Sequence, residues 1–210
     1  MKEIPENLIP SRSAKRANYD QATIYSILDE ALYCTISFSQ DDKPFSIPTA
    51  FVRINDHLYI HGSVGSHFIM ALEKGLPVCI VVTLMDALVV AKSAFHHSVN
   101  YRSVVVFGNA AKVSDTETKV KAFTDLTNKM VPDSWDYLRP LKDKEVIKTT
   151  VLRFSLVAAS AKIRTGMPID DDEDQSLPIW SGLIPLRKGQ DAPIADNLSK
   201  ELLLPPHLIK

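Results

Sequence analysis

The chain is 210 residues long and 45% hydrophobic, enough to bury a sizeable core and too apolar for a disordered segment. Its 24 basic and 25 acidic residues leave a net charge of −1, so no global field directs it to nucleic acid or to an anionic membrane. Any anion recognition has to be local.

The segment Met1–Asn7 carries no apolar signal core, and the longest apolar stretch, around 76–91, is interrupted by Pro77 and Asp86. Neither a leader nor a membrane-spanning helix is expected. Cys34 and Cys79 lie far apart inside strand-like apolar runs. They read as buried thiols of a reducing compartment, and the expected location is the cytoplasm.

In chain order, Asp20 can cap a helix whose apolar positions Ile24, Ile27, Leu28 and Ala31 recur at helical spacing. From Cys34 to Ser39 the period changes to strict alternation, with Cys34, Ile36 and Phe38 on one face of a strand. Residues 40–44 read as a turn, Phe45 to Ile54 as a second strand, Asn55-Asp56 as a tight turn and Leu58 to His61 as a third strand, an antiparallel meander. Pro48 cannot donate to a ladder, so it marks an edge, a bulge or a place facing a ligand, the edge being the plainer reading.

The segment His61-Gly62-Ser63-Val64-Gly65-Ser66-His67 then passes from strand to helix through small residues. Glycines let the backbone approach a ligand, and unpaired N–H groups at a helix start favour negative charge, so this junction is a candidate anion site. Taken alone it is also a common kind of turn. Phe68, Ala71 and Leu72 fit one face of a short helix that Gly75 and Pro77 end.

Two β-rich runs follow, Val78 to Met85 and Ala87 to Ala91, separated by Asp86. Tyr101 to Gly108 reads as a long central strand continuing towards Val113. Ser114 and Glu117 suggest a capping box for a helix pointing Val120, Phe123, Leu126 and Met130 inward, and Thr150 to Ala159 reads as the final strand. The run Asp170–Asp174 lacks the glycine and ligand spacing of a calcium loop and reads as a solvated acidic loop, so no metal site is expected. Adjacent His96 and His97 would face opposite sides of a strand and make a poor joint metal site.

About six strands with helices between only some of them suit a closed or split antiparallel barrel better than a doubly wound sheet. The fold class is therefore mainly β with flanking helices, an α+β chain. The motifs His97-Ser-Val-Asn-Tyr-Arg-Ser103, Ser160-Ala-Lys-Ile-Arg164 and Trp180-Ser-Gly182, with the glycine- and serine-containing loop, resemble the pyridoxamine 5′-phosphate oxidase-related flavoproteins. Within them the chain is most similar to the flavin-nucleotide-binding branch that includes nitroimidazole-resistance proteins.

That resemblance covers roughly residues 12–186 and implies a six-stranded antiparallel split β-barrel that binds FMN, as a homodimer with flavin at the subunit interface. The organisation then expected is an N-terminal extension over 1–19, the FMN-binding domain over 20–186 and a C-terminal tail over 187–210. In the resemblance Thr49, Ala50 and Phe51 match a segment whose backbone runs beside the isoalloxazine, and the 61–67 loop becomes the phosphate cradle, with Ser66 retained and His67 in place of a stronger cation. His61, Gly62 and Ser63 at its start are expected to bind the cofactor as well, His61 by donating to the flavin or its ribityl chain.

Lys92 or Arg102 is expected to supply the missing positive charge, although Arg102 also reads as a surface ion pair. Ser103 matches a flavin-contacting Gln with shorter reach, and Trp180 either stacks near the flavin of the partner or serves as a half-buried anchor. The incomplete match after Trp180 argues against vitamin B6 oxidation. The implied function is an FMN-dependent oxidoreductase acting on a small organic molecule through flavin N5, with NADH or NADPH as donor and no catalytic side chain assigned. A non-catalytic flavin-storage protein and a haem-binding relative are the alternatives, the latter needing an exposed axial histidine, a role that the context of His57, His96 or His97 does not compel.

Overall fold

The structure is a computed structural model describing residues 14–187 and 189–209. The Met1–Asn7 segment, and the expected extension as far as residue 13, lie outside the described residues. Thereafter β1 (Ala17–Asn18) leads into α1 (Gln21–Glu30), where the Asp20 carboxylate accepts the Thr23 N–H at 2.8 Å and Ile24, Ile27 and Leu28 are buried. Then come β2 (Tyr33–Gln40) and β3 (Lys43–Ala50), joined by Asp41 and Asp42 at φ of 50° and 57°, the positive values of a tight hairpin turn.

β4 (Val52–Ile54), β5 (His57–Ser63), α2 (His67–Glu73), β6 (Pro77–Val90) and β7 (Ser98–Asn109) follow. The chain continues with β8 (Ala111–Lys112), α3 (Thr116–Met130), α4 (Asp143–Ile147), β9 (Thr149–Ser155), β10 (Ala159–Arg164) and β11 (Gly182–Pro185). All pairing is antiparallel. One sheet runs β1-β10-β7-β6-β2-β3, with β11 added along β6, and a second runs β4-β5-β9-β8.

The inward faces meet as the core. Ile36 and Phe38 of β2, Ile80 and Val82 of β6, and Val104 and Val106 of β7 pack with Leu58, Ile60, Leu152 and Phe154 of the smaller sheet, and Leu28 of α1 and Leu72 of α2 join them. A second cluster joins Val52, Tyr59 and Val151 to Ala122 and Leu126 of α3. Cys34 is fully buried and burial pushes its thiol up to about 12; Cys79 is half-buried, and neither forms a disulfide. Among the described residues no helix is long and apolar enough to cross a membrane, and no cluster of His, Cys, Asp or Glu could hold a metal ion.

The mainly β, antiparallel reading holds, while a closed barrel is not formed and the strands are more finely divided than the six expected. Among the described residues eleven strand segments form two sheets, and neither sheet closes on itself. The expected 45–54 strand is two, because Phe51, with no exposed surface, turns into the core and hands the chain from one sheet to the other. The two runs flanking Asp86 are instead one strand with a bulge between Met85 and Ala87, which flips the alternation while preserving the pairing with β7.

The helix cap is Asp115, which accepts the Thr118 N–H at 2.7 Å, rather than Ser114; a carboxylate is the stronger acceptor at a helix start. Met130 is exposed instead of inward. The final strand stops at Ser155 because β9 and β10 belong to different sheets, and β11 was not expected from its sequence. Pro48 does lie on an edge strand, opposite Thr35.

Candidate functional site

The 61–67 loop is tightly wired. Val64 N–H donates to the Lys148 carbonyl at 3.1 Å, Gly65 N–H to Ser63 Oγ at 3.3 Å and Ser66 N–H to the Ser63 carbonyl at 2.9 Å. Ser66 caps α2 by accepting the Ile69 N–H at 3.5 Å, and its own hydroxyl proton remains for a ligand. The backbone donors left at the junction are those of His67 and Phe68, the first two of the helix. Gly62 is required by packing: a Cβ there would lie 2.6 Å from Cγ1 of buried Ile69.

His61 points elsewhere, edge-on to Phe123 of α3 with centroids 5.7 Å apart, and desolvation pulls its pKa down, favouring the neutral ring. Phe51 is equally committed, with Lys129 Nζ 3.8 Å from its ring centroid. What Thr49 and Ala50 offer is backbone on an edge strand, whose outer side has no neighbour in the sheet among the described residues.

Arg102 and Ser103 face opposite sides of β7. The Arg102 guanidinium donates to Asp86 at the β6 bulge and to Glu30 at the end of α1, contacts that raise its pKa further, Asp86 contributing most. Lys92 is also engaged: its ammonium donates to the carbonyls of Gln175 and Leu177, and its N–H to Asp170. These contacts pin the acidic loop, with His96 Nε2 3.1 Å from Asp171. Trp180 is 64% exposed and lies over Gly182, where a Cβ would meet its ring at 2.9 Å. The Trp-x-Gly spacing thus has a steric cause.

Ser103, by contrast, sits in a row that sequence alone did not reveal. Register places it opposite Thr83 on β6 and Lys162 on β10, while Ala50 lies opposite Tyr33 at the other edge of the same sheet. With alternate residues on opposite faces, Ala50, Tyr33, Thr83, Ser103 and Lys162 all point away from the core. Ser103 Oγ donates to the Lys162 carbonyl at 3.2 Å. The motif Ser-Ala-Lys-Ile-Arg was the available signal for Lys162, and its Arg164 donates to the buried Asn100 side chain, whose amide reaches the Gly166 carbonyl at 3.0 Å. Two motifs distant in sequence are therefore one hydrogen-bonded unit.

The family profile described as pyridoxamine 5′-phosphate oxidase matches residues 20–163. The chain belongs to this family. The flavocytochrome Anf3 from Azotobacter vinelandii is 35% identical, with 99% of this chain and 97% of that one covered at a TM-score of 0.90. An FAD- and haem-binding protein from Mycobacterium smegmatis is 32% identical over 92% of this chain and 95% of that one, at a TM-score of 0.87. A candidate 5-nitroimidazole antibiotic resistance protein from Bacteroides thetaiotaomicron VPI-5482 shares the fold at 22% identity and a TM-score of 0.59, over 70% of this chain and 86% of that one. No match was found among curated proteins.

Proposed function

We propose that this member of the pyridoxamine 5′-phosphate oxidase family is a flavin-dependent redox protein, with its flavin on the outward face of the larger sheet between two copies of the chain. The observation that carries the reading is the whole-length likeness to a flavocytochrome and to an FAD- and haem-binding protein at 35% and 32% identity. FAD is accordingly preferred here to the FMN expected from sequence. The residues fit a flavin: the outward row offers hydroxyls from Tyr33, Thr83 and Ser103 and the Lys162 ammonium, and Ala50 leaves room at the open edge of β3.

Bound flavin supplies hydride and single-electron chemistry at N5. The chain's own part is to bind and orient it, with Ser66 and His67 as donors for a phosphate. Exposed Met85, Leu88, Ile184 and Trp180 give the same end of the sheet an apolar character suited to cover by a second copy. NADH or NADPH is the proposed donor and a small organic molecule the acceptor.

A haem is the second group to consider, and His97 is the histidine that would hold its iron. His97 Nδ1 donates to the Ser93 carbonyl at 2.9 Å, which fixes the tautomer and leaves Nε2 of an exposed ring for a metal. His57 and His96 are instead turned to carboxylates, Asp56 and Asp171.

The test is the absorption spectrum of the purified full chain, followed by anaerobic NADH or NADPH. Flavin bands that bleach support the redox reading, and bound flavin that no donor bleaches supports storage. Absence of flavin after titration with both FAD and FMN overturns the assignment. If haem bands are present, His97→Ala should remove them and leave the flavin.

A further inference from the structure

A cleft of about 470 Å³ opens between the β2–β3 hairpin and α2, within the range of small-ligand sites. Its floor is aromatic. Lys43, Phe45 and Ile47 share one face of β3, and the Phe45 ring stacks on Phe38 with centroids 5.2 Å apart and planes 12° from parallel. Phe38 is buried at 8% exposure, whereas Phe45 is 41% exposed, so one face of a pre-oriented ring is open. Phe68 of α2, 6.1 Å from Phe38, closes the far wall.

Among the described residues the side chains of Lys43, His67, Gln40 and Asp41 have no hydrogen-bonding or ionic partner, although all four line the cleft. Two cationic or donor groups, a carboxylate and an amide around an open aromatic face match a purine nucleoside diphosphate: stacking for the base, Asp41 and Gln40 for its amino group or the ribose hydroxyls, Lys43 for the phosphate next to the nucleoside and His67 for the outer one.

Position favours a dinucleotide. His67 belongs to both the cleft and the 61–67 loop, and β3 carries both the cleft's Phe45 and the Thr49-Ala50 backbone proposed beside the flavin. Because β3 is the outermost strand among the described residues, a ligand can pass from the outward face of the sheet around its edge.

We infer that this cleft holds the adenylate half of FAD, the part that FMN lacks, and so selects FAD over FMN. The inference rests on the flavin reading above and adds where the second nucleotide sits. The experiment is titration of the flavin-stripped full chain with FAD, FMN and ADP, for wild type, Phe45→Ala and Lys43→Glu, with thermal melts reporting that each variant folds. Lys43 is at the hairpin end and fully outside the core, so its variant keeps the test open if Phe45→Ala is unstable.

Wild type should bind FAD at least tenfold more tightly than FMN, and ADP should displace FAD. Each variant should weaken FAD on the order of tenfold and leave FMN unchanged. Equal affinity for the two flavins, or variants that weaken both alike or neither, would overturn the cleft assignment while the flavin reading stands. Binding of neither flavin would overturn both.

Discussion

Arg102 grips Asp86 at two points, Nη2 to Oδ1 at 2.7 Å and Nε to Oδ2 at 3.0 Å, and so ties the central strand β7 to the bulge of β6. The same guanidinium reaches Glu30, which anchors the last turn of α1 to the sheet. A planar fork serving two carboxylates from different elements is a junction that lysine cannot reproduce. Arg102→Met should therefore cost about 1–2 kcal/mol in urea unfolding, more than an isolated surface pair, and Arg102→Lys should recover only part of it. Loss of flavin affinity with unchanged stability would place the guanidinium on the cofactor instead.

The two loop glycines should separate by cause. At Gly62 an added Cβ falls 2.6 Å from Cγ1 and 3.0 Å from Cδ1 of Ile69, a residue with no room to yield. Gly62→Ala should push α2 away from β5 and destabilise the fold by about 1–3 kcal/mol. At Gly65 the nearest atom is Ser63 Oγ at 3.8 Å, so Gly65→Ala should leave stability within about 0.5 kcal/mol. Comparing melting and flavin titration for the pair tells whether the loop is needed for packing, for ligand approach or for both; a stable Gly62→Ala would refute the steric account.

Local pattern made much of this fold legible, and tertiary register supplied the rest. Helix α1 follows from Asp20 and its apolar spacing, and β2 from the Cys34-Ile36-Phe38 alternation, because those signals lie within one element. Phe51 and the Met85–Ala87 bulge were invisible for the opposite reason. A strand that changes sheets, or gains a residue, keeps its β-like composition. The site divides in the same way: loop 61–67 stands out as a motif, whereas the alignment of Ser103 with Lys162 and Thr83 exists only through pairing. The ion pair of Arg102 is one of its two sequence readings, whereas nothing in the sequence shows that Lys92 already has partners.

Lys92 is expected to act on the acidic loop. Its ammonium bonds the Gln175 and Leu177 carbonyls, and its backbone N–H bonds the Asp170 carboxylate at 2.8 Å. Removing the ammonium leaves the backbone contact but frees the far end of the loop, which leads directly to Trp180. Lys92→Met should raise hydrogen exchange across residues 172–181 and shift the Trp180 emission, with little change in the barrel strands. Undiminished protection of that segment would show that the Asp170 and His96 contacts hold it without the lysine.

Lys129 sets a specific pH dependence. Its ammonium, 2.8 Å from the Leu28 carbonyl and above the Phe51 ring, is pulled down to about 8 by burial, with nearby Asp29 and Cys34 opposing that shift. In the unfolded chain the same amine titrates near its ordinary 10.5. Below pH 8 both states carry the proton, so the cost of burying the charge is constant. Between 8 and 10.5 the unfolded chain holds a proton that the folded one has released, and stability attributable to this residue rises with pH; above 10.5 it levels off. Urea midpoints of wild type and Lys129→Met, taken at intervals from pH 7 to 11, isolate the effect because other titrations largely cancel in the difference. Wild type should gain on the variant across that window. A difference that stays flat would mean the ammonium keeps enough water to titrate normally, and Lys129 would then act only through its contacts with Leu28 and Phe51.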